Sequence, residues 1–253
     1  VADQTQGGNT ARRALRLLEA VAASREPVGL QELAETVGLS KPTAYRLLRV
    51  LQEESYLTRA DSGGYRIGTQ SMALAAQIMP RADVFVDARP VLQALAGLSE
   101  ETATLHLRAG DEAILVLGVD SAHELRRAAR LGSATPLHRG CSGQAILAHL
   151  PVREVAAVLK RVDSDLDTSQ VVQALSAVRD QGFALSEGAN HPGLTGVAAP
   201  VLTASGRPAA SIAVSGPSAR WTAEKAREFA SVLTEHCSRV AELFAPLPPA
   251  DRT

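Results

Sequence analysis

Aromatic rings are scarce in this 253-residue chain: four Phe, three Tyr and one Trp give an aromatic share of 3%. Its cores must therefore be built from Leu, Val and Ala, and a reader of single-stranded nucleic acid, which stacks bases on rings, is disfavoured. Cysteine is nearly missing too. Cys141 and Cys237 stand far apart without a partner pattern, which gives no disulfide framework and no zinc-ligand spacing and fits a reducing cytoplasm. No apolar run approaches the roughly 18 residues that a bilayer span requires. Residues Val1–Thr10 lack a basic-then-apolar leader, so neither export nor membrane insertion is expected. His106, His123, His149, His191 and His236 do not stand at metal-ligand spacing with another His or Cys, so no metal and no cofactor is expected. Charge of one sign is lacking as well. The formal net charge is −1, so attraction to a polyanion would have to come from locally placed cations.

What is present is ordinary globular material, 45% hydrophobic and 21% charged, in a length that suits one small and one larger domain. Residues Ala14, Leu15, Leu18, Val21 and Ala22 recur at helical spacing after a capping residue at Asn9 or Thr10, predicting a first helix that ends near Ser24. Leu30, Leu33, Ala34 and Val37 predict a short second helix closed by Gly38. Ser40 can then cap a third helix that carries Pro42 in its first turn and runs to about Glu54. From Tyr56 to Gly68 the texture becomes two short strands around Asp61-Ser62-Gly63-Gly64. Helix, turn, helix and hairpin over Gly29–Ile67 form a winged helix-turn-helix, the geometry that lays its last helix in the major groove of duplex DNA.

Charge placement supports that use. Residues 1–75 hold nine Lys and Arg against eight Asp and Glu, barely basic, but the exposed front of the third helix is free of acid until Glu53. Ala44, Leu47, Leu48 and Leu51 fall on one face. Lys41, Thr43, Tyr45 and Arg46 are placed to meet base edges and phosphates, and Arg49 the flanking backbone. Gln31 and Ser40 can add phosphate contacts at two helix starts, and Arg59 and Arg66 can reach from the wing. The competing reading is an amphipathic module that binds protein instead of DNA.

Thr69–Met79 predicts a linker helix that ends before Pro80, and a domain boundary is placed near Gln70, giving 1–70 and 71–253. Beyond it the pattern predicts a helix over Val84–Leu98, strands at Thr102–Arg108 and Ala113–Asp120, and a further strand from Leu125. Helices follow at Ser142–Leu150, Pro151–Leu159 and Ser169–Gln181. Strands return at Phe183–Ser186, Gly196–Leu202 and Ala209–Ser215, and a long helix from Ala223, capped by Thr222, closes before Pro246. This order is that of an α+β domain with a central sheet. Within it, Cys141, Ser142 and Gly143 open a helix whose first amides are unpaired, a place where a small carboxylate can be held. The same small residues also serve plain helix-sheet packing. A thiol nucleophile formed by Cys141 with His138, which would make the chain a DNA-tethered enzyme, is the alternative chemistry.

The run "ARRALRLLEAVAASREPVGLQELAETVGLSKPTAYRLLRVLQEESYLTRADSGGYRIG" resembles the N-terminal domain of IclR-type bacterial regulators. The resemblance continues through "ATPLHRGCSGQAILAHLP", "GLTGVAAPV" and "ASIAVSGPSAR". It implies a winged helix, a linker helix and a GAF-like effector domain in dimers or dimers of dimers, regulating transcription without catalysis, more often as a repressor. It further implies that Ser186 and Ser215 are polar pocket positions and that Leu125 and Leu131 form an apolar wall. Gly196 and Ala213 stand where relatives can carry Cys and Ser. A pocket thus depleted of donors is expected to be less polar and to take an acid with an apolar or aromatic body.

Overall fold

The computed structural model describes residues 2–78, 83–162 and 167–241, with only the backbone path given for 2–8 and 83–85. The chain folds as two compact units, Val1–Ala82 and Asp83–Thr253.

In the first unit, α1 (Ala2–Ala22), α2 (Leu30–Val37) and α3 (Lys41–Glu53) bury Leu17, Val21, Leu33, Ala34, Ala44 and Leu48 against one another. Gly38 adopts φ 68°, which lets its own N–H reach Glu35 O at 3.1 Å and that of Leu39 reach Ala34 O at 2.8 Å. Such left-handed closure satisfies the last carbonyls of α2 and turns the chain into α3. Strands β1 (Leu57–Arg59) and β2 (Tyr65–Ile67) pair antiparallel with Thr58 opposite Arg66, and Val28 bridges to Tyr65 as a minimal third strand. Helix α4 (Thr69–Ile78) follows, tied to this unit by Gln70 N–H donating to Ser55 O and Ser71 Oγ donating to Tyr56 O. These ties make α4 part of the winged-helix unit, whereas the boundary expected from the sequence lay at its start, near Gln70.

Three local expectations are corrected here. Asn9 and Thr10 lie inside α1, which begins at Ala2. The buried stripe of α1 runs through Leu17 and Val21, while Leu15 is 57% exposed and Ala22 is also exposed. Ser40 holds the N-cap position of α3, but its Oγ lies 2.9 Å from Thr43 Oγ1 instead of capping a backbone amide.

The second unit is built on an antiparallel sheet in the order β5-β4-β3-β8-β7-β6. Its strands are β3 (Thr102–Ala109), β4 (Glu112–Val119), β5 (Ala134–Pro136), β6 (Ala184–Glu187), β7 (Leu194–Leu202) and β8 (Pro208–Pro217). One face carries Leu105, Leu117, Val197, Ile212 and Val214 against α5 (Asp83–Ser99) and α10 (Ala230–Ala241). The other presents the small apolar residues Ala113, Ala184, Ala198 and Ala213 to α6 (Gly140–Leu147), α7 (Val152–Lys160) and α8 (Thr168–Gln181). Period-2 alternation of large and small side chains thus sets how near each helical layer can come. The arrangement is consistent with a GAF-like domain.

Residues 121–133, expected to begin a strand at Leu125, form instead an irregular loop between β4 and β5. Side chains hold it in place: Ser121 Oγ donates to Glu100 O at 2.5 Å, Thr102 Oγ1 to Arg127 O at 2.6 Å, and Arg220 Nη2 to Leu125 O at 2.8 Å. Arg220 also forms a two-point pair with the 3%-exposed Glu101 carboxylate, at 2.5 and 2.9 Å. The carbonyls of residues 123–125 and 127 accept from side chains in place of a strand neighbour. The closing helix is also two helices, α9 (Ala223–Glu228) and α10, parted at Phe229, whose ring meets Trp221 edge-on at 5.6 Å. Thr222 does cap α9, its hydroxyl accepting from Lys225 N–H at 3.4 Å. Met79, Pro80 and Pro246–Pro249 lie outside the described residues.

Candidate functional site

Helix α3 buries Ala44 and Leu48 completely and exposes Lys41, Tyr45 and Arg46, Tyr45 by 47%. Lys41, Arg46 and the wing residue Arg66 make no side-chain hydrogen bond or ion pair among the described residues, so three cations stand ready for an external anion. Others in the predicted set are engaged. Arg49 pairs with Glu53 at 2.7 Å, and Gln31 donates to the Glu35 carboxylate. Arg59 lies over the Tyr65 ring, 4.9 Å from its centroid, and donates to its hydroxyl at 3.1 Å. The exposed Arg49–Glu53 pair is worth little and exchanges readily for phosphate, whereas the Arg59 contact rests on the buried Tyr65. Thr43 and Ser40 satisfy each other at the start of the helix.

A cavity of about 710 Å³ lies in the second unit, between the start of α6, the 121–133 loop, the β6–β7 connection and the ends of β7 and β8. Of the predicted ligand residues, Cys141, Ser142, Ser186, Gly196 and Ser215 line it. Gly196 makes room there: a Cβ on it would sit 2.8 Å from Ser215 Oγ and 2.9 Å from Cys141 Sγ. Four residues do not line it. Gly143 packs on the backbone of Pro136 and Leu137, where a Cβ would fall 2.7 Å from a carbonyl oxygen. Ala213 is 1% exposed in the layer between sheet and α6. Leu125 and Leu131 are 72% and 65% exposed, so they form no apolar wall.

The lining is more polar than expected. Arg126, Arg127, Arg130 and Arg139 face the cavity together with His106, and among the described residues no Phe, Tyr or Trp does. None of these five was singled out in the sequence; the visible signal was three arginines at 126, 127 and 130 in a segment without helical or strand period. Arg127 Nη1 and His106 Nδ1 are buried without a hydrogen-bond partner among the described residues. His106 is 4% exposed, and burial, aided by the Arg127 charge, pushes its pKa down to about 3, so the ring is neutral. Burial also lowers the Arg127 pKa, opposed by Cys141 and Asp120. An unpartnered guanidinium nitrogen inside a protein is unfavourable unless an anion completes it.

The nucleophile pairing is not assembled. Burial raises the Cys141 thiol pKa, only partly offset by hydrogen bonds from Ser186 and Ser142 and by the Arg127 charge. His138 does not line the cavity, and its own pKa is lowered by burial and by Arg139. A protonated thiol without a base is a poor nucleophile. Among the described residues, no group of three or more His, Cys, Asp or Glu is placed to hold a metal ion, and no helix is long and apolar enough to cross a membrane.

A winged helix with free cations on its third helix, followed by an α+β unit enclosing a polar cavity, defines a helix-turn-helix transcriptional regulator. Residues 10–61 match the IclR helix-turn-helix domain and residues 76–242 the bacterial transcriptional regulator IclR C-terminal domain. The chain belongs to the IclR family of bacterial transcriptional regulators, and these are not enzymes. It is 27% identical over 238 residues to the transcriptional repressor IclR of Escherichia coli K12, covering 90% of this chain and 87% of that one. It is 29% identical over 255 residues to the HTH-type transcriptional regulator BhcR of Paracoccus denitrificans, covering 97% and 90%. The crystal structure of an IclR family transcriptional regulator from Brucella abortus superposes with a TM-score of 0.76 at 25% identity, covering 92% of each chain.

Proposed function

We propose that the chain is a cytoplasmic repressor that binds duplex operator DNA as a homodimer or dimer of dimers, and that a small organic acid in the cavity sets its operator affinity. The observation that carries the ligand half is the pair of buried, unpartnered polar atoms, Arg127 Nη1 and His106 Nδ1, on two residues that line the same cavity. A carboxylate there accepts from the Arg127 guanidinium, with the start of α6 at Cys141 and Ser142 and the hydroxyls of Ser186 and Ser215 within the same lining. The ligand's body is polar, in place of the apolar or aromatic body expected from the sequence, because among the described residues the lining has no Phe, Tyr or Trp to pack on one. The repressor role is supported by that of the Escherichia coli relative.

The DNA half rests on Lys41, Thr43, Tyr45 and Arg46 at the exposed start of α3, with Arg66 on the wing and Arg49, Arg59, Gln31 and Ser40 at the periphery. Two half-sites must match the two-fold geometry of a dimer, so a ligand that alters the spacing of its two winged helices alters affinity. An operator recovered from random duplex DNA by selection on the wild-type protein supplies the test. Arg46→Ala is expected to weaken its binding by about 1–3 kcal/mol in a gel shift at fixed salt. Unchanged affinity would remove α3 as the reading helix.

A further inference from the structure

We infer that the cavity selects ligands carrying two or more negative charges, dicarboxylates or phosphorylated acids, over monocarboxylates; this rests on the acid-binding reading above. Among the described residues, four guanidinium groups line the cavity and no carboxylate does. Of the four, Arg126 alone has an acid partner, Asp120 at 3.6 Å. Arg139 spends one nitrogen on the Ala189 carbonyl at 3.1 Å, which offsets no charge. Arg130 makes no side-chain hydrogen bond or ion pair among the described residues. Arg130 and Arg139 therefore stay without a counter-ion among the described residues, and Arg127, which feels the Asp120 charge but makes no ion pair, joins them around one cavity in a chain whose formal net charge is −1.

One carboxylate balances one of these cations. A second anionic group is required before the lining approaches neutrality, and the cations are arranged to receive it at a different place. Arg127 is part-buried beside the buried His106, whereas Arg130 and Arg139 are exposed. A cavity of about 710 Å³ is in the range that encloses molecules well beyond a two- or three-carbon acid, so one ligand can span from the buried guanidinium to the exposed ones. Neutral His106 adds a hydrogen-bond partner beside Arg127 that does not compete for the charge. With no Phe, Tyr or Trp in the lining among the described residues, discrimination between ligands falls to charge-assisted hydrogen bonds, each capable of a tenfold effect or more.

Calorimetric titration of the full chain at fixed ionic strength tests this with probe pairs that differ by one anionic group: butyrate and succinate, glycerate and 3-phosphoglycerate. In each pair the multiply charged member is expected to bind at least about tenfold more tightly. The double variant Arg130→Gln, Arg139→Gln is expected to erase that advantage, weakening succinate and 3-phosphoglycerate at least about tenfold more than butyrate and glycerate, and Arg127→Gln to weaken all four. Operator binding by each variant reports that it is folded. A preference confined to succinate or to 3-phosphoglycerate assigns the second anion as carboxylate or phosphate. Equal binding within both pairs, lost in Arg127→Gln, overturns this inference and leaves the acid-binding reading standing. Absence of binding by all four, or binding indifferent to Arg127→Gln, overturns both.

Discussion

Replacing Arg127 by Met is expected to stabilise the ligand-free protein while abolishing its affinity for acids. The guanidinium is part-buried, its Nη1 has no partner among the described residues, and burial is the largest influence on its pKa. A polar group left unpaired inside a protein costs about 1–3 kcal/mol. Met keeps an unbranched stem of similar length and removes the charge, and the tie from Thr102 Oγ1 goes to the main-chain carbonyl of residue 127, which every side chain retains. Because the residue is part-exposed, the lower end applies, about 1 kcal/mol, which raises Tm by about 2–4 °C in a chain of this size. Differential scanning calorimetry without ligand reads the stability, and titration with succinate reads the binding. A variant that melts below wild type and still binds the acid would refute the assignment of Arg127 as a group held ready for an anion. The expected trade is the one seen where a site keeps a group unsatisfied until its partner arrives.

Two further perturbations follow from the same geometry. His106 stays neutral in the folded protein down to about pH 3, whereas an unfolded His takes up its proton near 6.5. Between those values the unfolded chain binds more protons, so this residue's contribution is intact above pH 6.5 and is lost as pH falls. The loss is about 1.4 kcal/mol per pH unit, or about 2 kcal/mol by pH 5. Urea midpoints against pH should fall more steeply for wild type than for His106→Gln, and equal slopes would contradict the buried neutral ring. In the winged helix, a Cβ on Gly68 would lie 2.3 Å from the backbone oxygen of Ser55. Gly68→Ala should therefore destabilise this unit by about 1–3 kcal/mol and lower operator affinity in a gel shift; a wild-type melting curve would show that the turn yields freely.

The DNA-binding half was legible in detail because its determinants are local. Helical period, the stop at Gly38, the start at Pro42 and the Gly63-Gly64 turn each act within a few residues, and the structure keeps all four. What escaped there was non-local: the bridge of Val28 to Tyr65, and the register by which α1 buries Leu17 instead of Leu15. In the second unit the small residues around Cys141 were readable as the start of a helix close to a sheet, whereas the strand serines Ser186 and Ser215 came only from the family resemblance. The cations were not readable, because a loop has no period. Leu125 and Leu131 suit an apolar wall by residue type alone, but their segment is held through its backbone, by Thr102 and Arg220, and leaves both side chains in solvent. His106 stands in the sequence only as one of five histidines without metal-ligand spacing, and its role comes from the fold, which puts its unpartnered ring nitrogen and Arg127 beside one cavity.

The fastenings of the 121–133 loop carry a mechanical implication. Two of its side-chain ties, Ser121 to Glu100 and Arg127 to Thr102, end on the residues that immediately follow α5, and another, through Arg220, grips Glu101 between them. A molecule that draws the Arg127 side chain inward thus tugs at the foot of α5 through hydrogen bonds of single-residue reach. The cavity needs no long relay across the sheet to reach a helix: the loop that would grasp the ligand is stitched to the three consecutive residues that follow α5.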